Sequence, residues 1–219
     1  CMQFFNQYIS NNKFNYGYDG WKLVQYMGLP KDRYASDLDL FRWIGKQSHL
    51  QKWYLKIVRS EIRGKLSVSI TRSIGFKPKR MVSDITSLMR HFTIRAVEYG
   101  SKLFISSSDV KKAFDNMKHK HICRTLLSQK AGNEETWLTM RELSVVKVEL
   151  DLPGAINPEP FDMEMAVVQG GVNTPDKWNC LLEATVEPLV MPWNLMNYGV
   201  ECGETQKVNH LIFADKFRA

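Results

Sequence analysis

Two aspartates far apart in the chain each follow a short apolar stretch with the composition of a β-strand. Asp109 comes near the end of Lys102–Val110, and Asp215 directly follows Leu211-Ile212-Phe213-Ala214. Carboxylates at strand ends are the hard oxygen ligands that Mg²⁺ prefers. Two such ions activate a hydroxyl and stabilise a leaving pyrophosphate in nucleotidyl transfer. The pair therefore predicts a divalent-cation site, the alternative for either aspartate alone being a turn or cap residue.

A glycine pair forms the second chemically suggestive feature. The segment Gln169-Gly170-Gly171 leaves an apolar stretch, Met163–Val168, and Pro175 then opens a helical pattern. We expect the glycine pair to connect a strand to a helix.

The predicted elements around these residues are helices followed by a strand–helix–strand core, which is typical of an α+β fold. Residues 1–20 show no clear period. Leu38, Phe41 and Ile44 follow helical spacing behind Asp37, a candidate cap. The predicted helices are 21–28, 37–63, 83–96, 118–128 and 175–190, and the predicted strands are 102–110, 145–150, 163–168 and a closing hairpin of Val200 with 208–213.

Charge and composition narrow the classes of protein. The chain has 219 residues and a net charge of +7, with 17 basic against 7 acidic residues in 1–100 and 13 against 16 in 101–219. This asymmetry favours a polyanionic partner, and a merely solvated basic surface is the alternative. No stretch is long and apolar enough for a membrane span, no signal peptide opens the chain, and the four cysteines form no CxxC pair. We expect an intracellular protein of the cytoplasm or nucleus, neither secreted nor bound to a membrane.

Four motifs in order resemble a known family. They are Gly75-Phe76-Lys77-Pro78-Lys79-Arg80, Asp109 with Ala113-Phe114-Asp115, Gln169-Gly170, and Phe213-Ala214-Asp215. From Ile74 to its end the chain resembles a reverse transcriptase of the non-LTR retrotransposon and group II intron type. The resemblance implies the fingers and palm of a right-hand polymerase, with an antiparallel palm sheet backed by helices over 74–219. Residues 1–73 would form a helical N-terminal fingers segment.

The resemblance also implies roles for individual residues. Asp109, Asp215 and the backbone carbonyl of Val110 would hold two Mg²⁺ or Mn²⁺ ions, the two aspartates being catalytic. Phe114 would exclude a ribonucleotide by its bulk. The incoming deoxynucleoside triphosphate would meet Lys111, Lys112, Ala113, Phe114, Gln169 and Gly170, although the two lysines are alternatively solvated strand-end charges. Template phosphates would contact Lys77, Lys79 and Arg80.

Several positions depart from the family pattern. Lys216 stands where the family has a second aspartate, and Lys79 replaces a glycine. Ser106-Ser107-Ser108 precedes Asp109, where the family usually has an apolar residue next to the aspartate. The chain ends at Ala219, so we expect no thumb and a partial, degenerate copy.

Two hypotheses follow for the function. The first is an impaired RNA-directed DNA polymerase acting on an RNA template, a DNA primer and deoxynucleoside triphosphates. The second is a catalytically dead retroelement remnant that at most binds nucleic acid. An unrelated two-carboxylate nuclease is a third, remote alternative, and the oligomeric state is left open by the sequence.

Overall fold

The chain folds into two compact units, each built from two separate segments. The computed structural model describes residues 21, 23–34, 37–65, 74–76, 79–144, 146–151, 159–202, 206–214 and 216–218. Unit 1 comprises Cys1–Ser67 and Phe114–Pro175, and unit 2 comprises Val68–Ala113 and Asp176–Ala219. The boundary predicted between residues 73 and 74 stays a prediction.

A four-stranded mixed sheet organises unit 1, with the strand order β2-β1-β4-β5. Strand β1 pairs antiparallel with β2 and parallel with β4, and β4 pairs antiparallel with β5. Val24, Tyr26 and Val148 are buried in its core together with Val168. The strands are β1 (Leu23–Pro30), β2 (Phe41–Lys46), β4 (Lys147–Asp151) and β5 (Phe161–Asp162).

The helices predicted over 21–28 and over the first part of 37–63 are wrong, because these residues form β1 and β2. Buried Val24 and Tyr26 alternate with exposed neighbours, which is the period of a strand. The helical spacing of Leu38, Phe41 and Ile44 is coincidental: only a 3₁₀ turn, Leu38–Leu40, precedes β2. The parallel partner β4, more than 100 residues away, stabilises β1, and local patterns carry no trace of it.

Three helices complete unit 1. Helix α1 (His49–Lys65) retains the end of the predicted 37–63 helix, and α3 (His119–Ser128) confirms the prediction over 118–128. Helix α4 (Asn133–Ser144) was not predicted from the sequence. The feature of the sequence that could have indicated this helix is its acidic first turn, where Glu134 and Glu135 interact favourably with the positive end of the helix dipole.

Unit 2 contains an antiparallel sheet with the order β3-β9-β8 and a separate two-stranded ribbon, β6-β7. Ile85 and Phe92 of α2 are buried against Leu211 of β8. The long helix α5 begins at the last two residues of unit 1 and continues in unit 2. The elements are α2 (Val82–Glu98), β3 (Ser107–Asp109), α5 (Thr174–Leu195), β6 (Val200–Cys202), β7 (Gln206–Val208), β8 (Leu211–Phe213) and β9 (Lys216–Arg218).

Predictions for the second half of the chain are mixed. The helices over 83–96 and 175–190 are confirmed, each somewhat longer than predicted. The strand predicted over 102–110 shrinks to Ser107–Asp109, and the strand predicted over 163–168 is wrong. In 163–168 the backbone of Ala166 has a φ of +83°, which a strand does not accommodate. The predicted closing hairpin becomes two, β6-β7 and β8-β9. None of the helices in the described part of the chain is long and apolar enough to cross a membrane.

Candidate functional site

The turn between β8 and β9 carries the last of the four motifs. Phe213 pairs with Lys216 across this hairpin, so two residues, Ala214 and Asp215, connect the strands. Ala214 has a φ of +54°, a left-handed conformation that alanine seldom adopts. The indole Nε1 of Trp178 in α5 donates a 2.8 Å hydrogen bond to the Ala214 carbonyl and holds the turn on the helix. Asp215 itself lies outside the described residues.

The first motif packs against the same turn. The backbone nitrogen of Ile74 donates to the Ile212 carbonyl at 2.9 Å, and the buried side chain of Asn179 donates to the Gly75 carbonyl at 3.2 Å. A Cβ added at Gly75 would overlap the backbone nitrogen of Ala214. Glycine is therefore required here because two backbones meet, a reason for its presence that the sequence did not reveal.

Asp109 lies next to Lys216, the residue that follows the last of the four motifs. Strands β3 and β9 are antiparallel, and Asp109 stands directly opposite Lys216. Directly opposed residues share one face of a sheet, with their Cβ atoms about 5 Å apart. Asp109 and Val110 are both exposed. Within the described residues, which leave out Asp215, no three His, Cys, Asp or Glu side chains form a group suited to a metal ion.

In unit 1 the Phe114-Asp115 end of the second motif is hydrogen-bonded to the third motif and the segment before it. The backbone nitrogen of Val167 donates to the Phe114 carbonyl at 3.2 Å, and that of Ala166 donates to the Met117 carbonyl at 2.9 Å. The Gln169 side chain donates from Nε2 to Oδ1 of Asp115 at 3.1 Å. An ionised carboxylate only accepts, so the amide of Gln169 must turn its nitrogen toward Asp115 and its oxygen away.

Tyr26 of β1 belongs to this cluster, and sequence reasoning missed it. Burial raises the pKa of Tyr26 to about 12; the Asp115 carboxylate adds to the rise, and a backbone hydrogen bond from Gln169 opposes it. The backbone nitrogen of Gly45 donates to the Gln169 carbonyl at 2.9 Å. Gly170 has a φ of +89°, where a side chain would be strained. The loop at Gln169 is thus fixed by β1 and β2, which the sequence analysis took for helices.

The remaining predicted site residues differ in how far their side chains are buried. Lys111 and Lys112 are exposed at the end of unit 2's first segment, where Ala113 is buried. Phe114 is half-buried and begins the second segment of unit 1. Their nucleotide contacts stay predictions, as do the phosphate contacts of exposed Lys79 and Arg80 and of Lys77, which lies outside the described residues.

Comparison with known proteins shows a shared fold. Neither a protein-family model nor a curated protein sequence matches this chain. Two solved structures of telomerase, a reverse transcriptase-related protein, are similar to this chain. The apo telomerase of Candida tropicalis, truncated from its C-terminal domain, superposes with a TM-score of 0.63 at 12% identity over 90% of this chain and 43% of that one.

The second is the telomerase of Candida albicans bound to a fragment of telomeric RNA, with a TM-score of 0.62 at 13% identity over 90% of this chain and 37% of that one. The chain spans about two fifths of the length of these telomerases. Its fold is reverse transcriptase-like.

Because the pKa of Tyr26 is raised in the folded protein, we expect the free energy of unfolding to fall at alkaline pH. The phenol ionises near pH 10 in the unfolded chain and near 12 in the folded one, so above pH 10 the unfolded state binds fewer protons. The free energy of unfolding should fall by about 1.4 kcal/mol more between pH 9 and 11 than in Tyr26→Phe, which lacks the ionisable group. Urea unfolding measures it. Tyr34→Phe, at a side chain 83% exposed, is the control, and equal pH slopes for all three proteins would refute the assignment.

The left-handed backbone of Lys79 predicts that a glycine at this position would stabilise the protein. Lys79 has a φ of +61°, which strains an L-residue by roughly 1–2 kcal/mol. Lys79→Gly removes this strain but gives the unfolded chain more freedom, so we expect a net stabilisation of about 0.5–1 kcal/mol. Arg80→Gly, at a position without positive φ, should destabilise instead. A destabilised Lys79→Gly protein in thermal or urea unfolding would contradict the explanation.

Proposed function

We propose that this chain is the fingers and palm of an RNA-directed DNA polymerase of the reverse transcriptase class, in a copy impaired at its catalytic centre. The observation that carries the proposal is the β3-β9-β8 sheet, in which Asp109 lies on the strand next to the Phe213-Ala214-Asp215-Lys216 hairpin. The fold shared with telomerase supports it.

The donor set suits Mg²⁺ or Mn²⁺ in kind. Asp109, Asp215 and the Val110 carbonyl would hold the ions through hard oxygen atoms. When bound, the ions would polarise the phosphoryl group and help ionise the attacking primer hydroxyl. Lys216 stands opposite Asp109, contributes a positive charge and cannot ligate a cation. The site would therefore bind metal weakly.

The nucleotide and template would meet the cluster around Gln169. Asp115 fixes the nitrogen side of the Gln169 amide, and the amide oxygen would accept a hydrogen bond from a bound nucleotide. Gly170, with no side chain, would let a nucleic-acid backbone come close. The proposed partners are an RNA template, a DNA primer and deoxynucleoside triphosphates.

A second candidate function is nucleic-acid binding without catalysis. The position of Lys216 opposite Asp109 favours it, because the lysine offsets the negative charge of that aspartate and so weakens the attraction of the site for a cation. One of the similar telomerases is bound to RNA, which is compatible with either function.

Template-directed incorporation of a single nucleotide by the Lys216→Asp protein separates the two functions. On a primed RNA template with Mg²⁺ or Mn²⁺, the incorporated base should follow the template, and adding Asp109→Ala should abolish the product. A Lys216→Asp protein that still binds the primed template yet incorporates nothing would overturn the polymerase proposal and leave the binding function.

A further inference from the structure

Helix α1 carries a stripe of positive charge that the sequence motifs do not include. Lys52, Lys56, Arg59 and Arg63 recur at intervals of four, three and four residues. At about 100° per residue, these four side chains fall within an arc of about 60°. The stripe runs roughly 16 Å along the helix, at 1.5 Å per residue.

The other charges and the apolar residues of α1 lie elsewhere. Tyr54, Leu55, Val58 and Ile62 are buried and form the apolar face of the helix. Glu61, the acidic residue of α1, is placed about 180° from Lys52. No negative charge of the helix itself therefore interrupts the stripe.

An exposed aromatic residue flanks the stripe. The Trp53 side chain is 54% exposed, an unusual exposure for tryptophan, and it lies about 100° from Lys52 on the solvent side of the helix. A row of cations beside an exposed aromatic ring matches single-stranded nucleic acid, whose phosphates take the charges while a base stacks on the ring. A merely solubilising helix face needs no exposed tryptophan.

We propose that α1 binds a single strand of nucleic acid, with the phosphates along the Lys52–Arg63 stripe and a base on Trp53. This α1 site rests on the proposed function, because it assigns the nucleic acid of that function a place on the chain. Lys56 and Arg63 are exposed, and Lys52 and Arg59 are half-buried. Arg59 and Arg63 also take part in interactions within the chain, and their charges still act on a phosphate through space.

The salt dependence of RNA binding tests the stripe. For a single strand, log K should fall against log salt with a slope of about −0.7 for each phosphate contact. Changing Lys52, Lys56, Arg59 and Arg63 to Gln should make the slope shallower by about 3. The matched control changes exposed Lys102, Lys120, Lys130 and Lys147 to Gln: it removes the same charge without forming a stripe and should change the slope far less.

Two further variants sharpen the test. Lys52→Gln with Lys56→Gln, which leaves both arginines in place, should make the slope shallower by about 1.4 and serves if the fourfold variant does not fold. Trp53→Ala should weaken binding roughly tenfold at every salt concentration without changing the slope, because stacking releases no counterions. Tyr34→Ala, at an exposed aromatic residue outside α1, should leave affinity unchanged.

Each outcome has one meaning. Equal slopes for the stripe variant and its control overturn the α1 site while leaving the proposed function intact, because the unaltered chain still binds RNA. Failure of the unaltered chain to bind either single-stranded RNA or an RNA–DNA hybrid overturns both. If the stripe variant binds RNA normally but loses binding to anionic phosphatidylserine vesicles, the stripe recognises a lipid surface and the proposal is wrong.

Discussion

Lys216→Asp is expected to raise the rate of primer extension over that of the unaltered chain by several orders of magnitude. The substitution changes the charge opposite Asp109 by two units. At about 5 Å and an effective dielectric constant of about 20, each product of unit charges amounts to about 3 kcal/mol. A divalent ion therefore gains several kcal/mol, reduced by solvent at this exposed strand, and each 1.4 kcal/mol is about a tenfold change.

Lys216→Gln separates the two parts of this effect. It removes the repulsion without supplying a ligand, so its extension rate should fall between those of the unaltered chain and Lys216→Asp. Asp109→Ala in the Lys216→Asp background is the negative control. If the unaltered chain extends the primer readily and Asp109→Ala abolishes this extension, the lysine is tolerated and the proposal that this copy is impaired is wrong.

Gly75→Ala is expected to lower the free energy of unfolding by roughly 3 kcal/mol, the upper end of what overpacking produces. The new Cβ would overlap the backbone nitrogen of Ala214 and lie 2.9 Å from its Cα. Neither backbone can retreat easily, because Asn179 and Trp178 hold both segments to α5. Urea unfolding measures the change.

Gly100→Ala is the matched control for Gly75→Ala. Gly100 has a φ of +58° and open space where a Cβ would stand, so it reports the strain of a left-handed alanine, about 1 kcal/mol, without a clash. If Gly75→Ala destabilises the protein no more than Gly100→Ala does, the close approach of the two backbones is not rigid and the explanation is wrong.

The parts of the fold that sequence predicted well are those stabilised locally. Helices α2, α3 and α5 have apolar residues at helical spacing, and Ile85 and Phe92 of α2 are buried as that spacing requires. Strand β1 was missed because it is stabilised by pairing with the distant strand β4, and β2 was missed with it because β2 pairs only with β1 in this sheet. Val24 and its partner Val148 lie far apart in the sequence, so no local pattern indicates that they pair.

The candidate site likewise contains residues that the sequence predicted and residues that it did not. The motif residues were found by type and order, because carboxylates and glycines are recognisable in the sequence itself. The residues that hold them were not: Tyr26 beside Gln169, and Trp178 and Asn179 under the Ala214 turn, are ordinary members of a strand or helix until the fold brings them there. The roles of Asp109 and Asp215 themselves stay predictions.

The division of each unit between two segments has a consequence for biosynthesis. Unit 1 is complete once Pro175 has been translated, whereas unit 2 needs Asp176–Ala219 to join Val68–Ala113. At about 5–20 residues per second, the segment Asp176–Ala219 takes roughly 2–9 s to synthesise. Throughout that interval the nascent chain displays the apolar face of α2, with Ile85 and Phe92 lacking Leu211. The apolar face of α2 is therefore expected to stay uncovered during translation until the segment that carries Leu211 has been made.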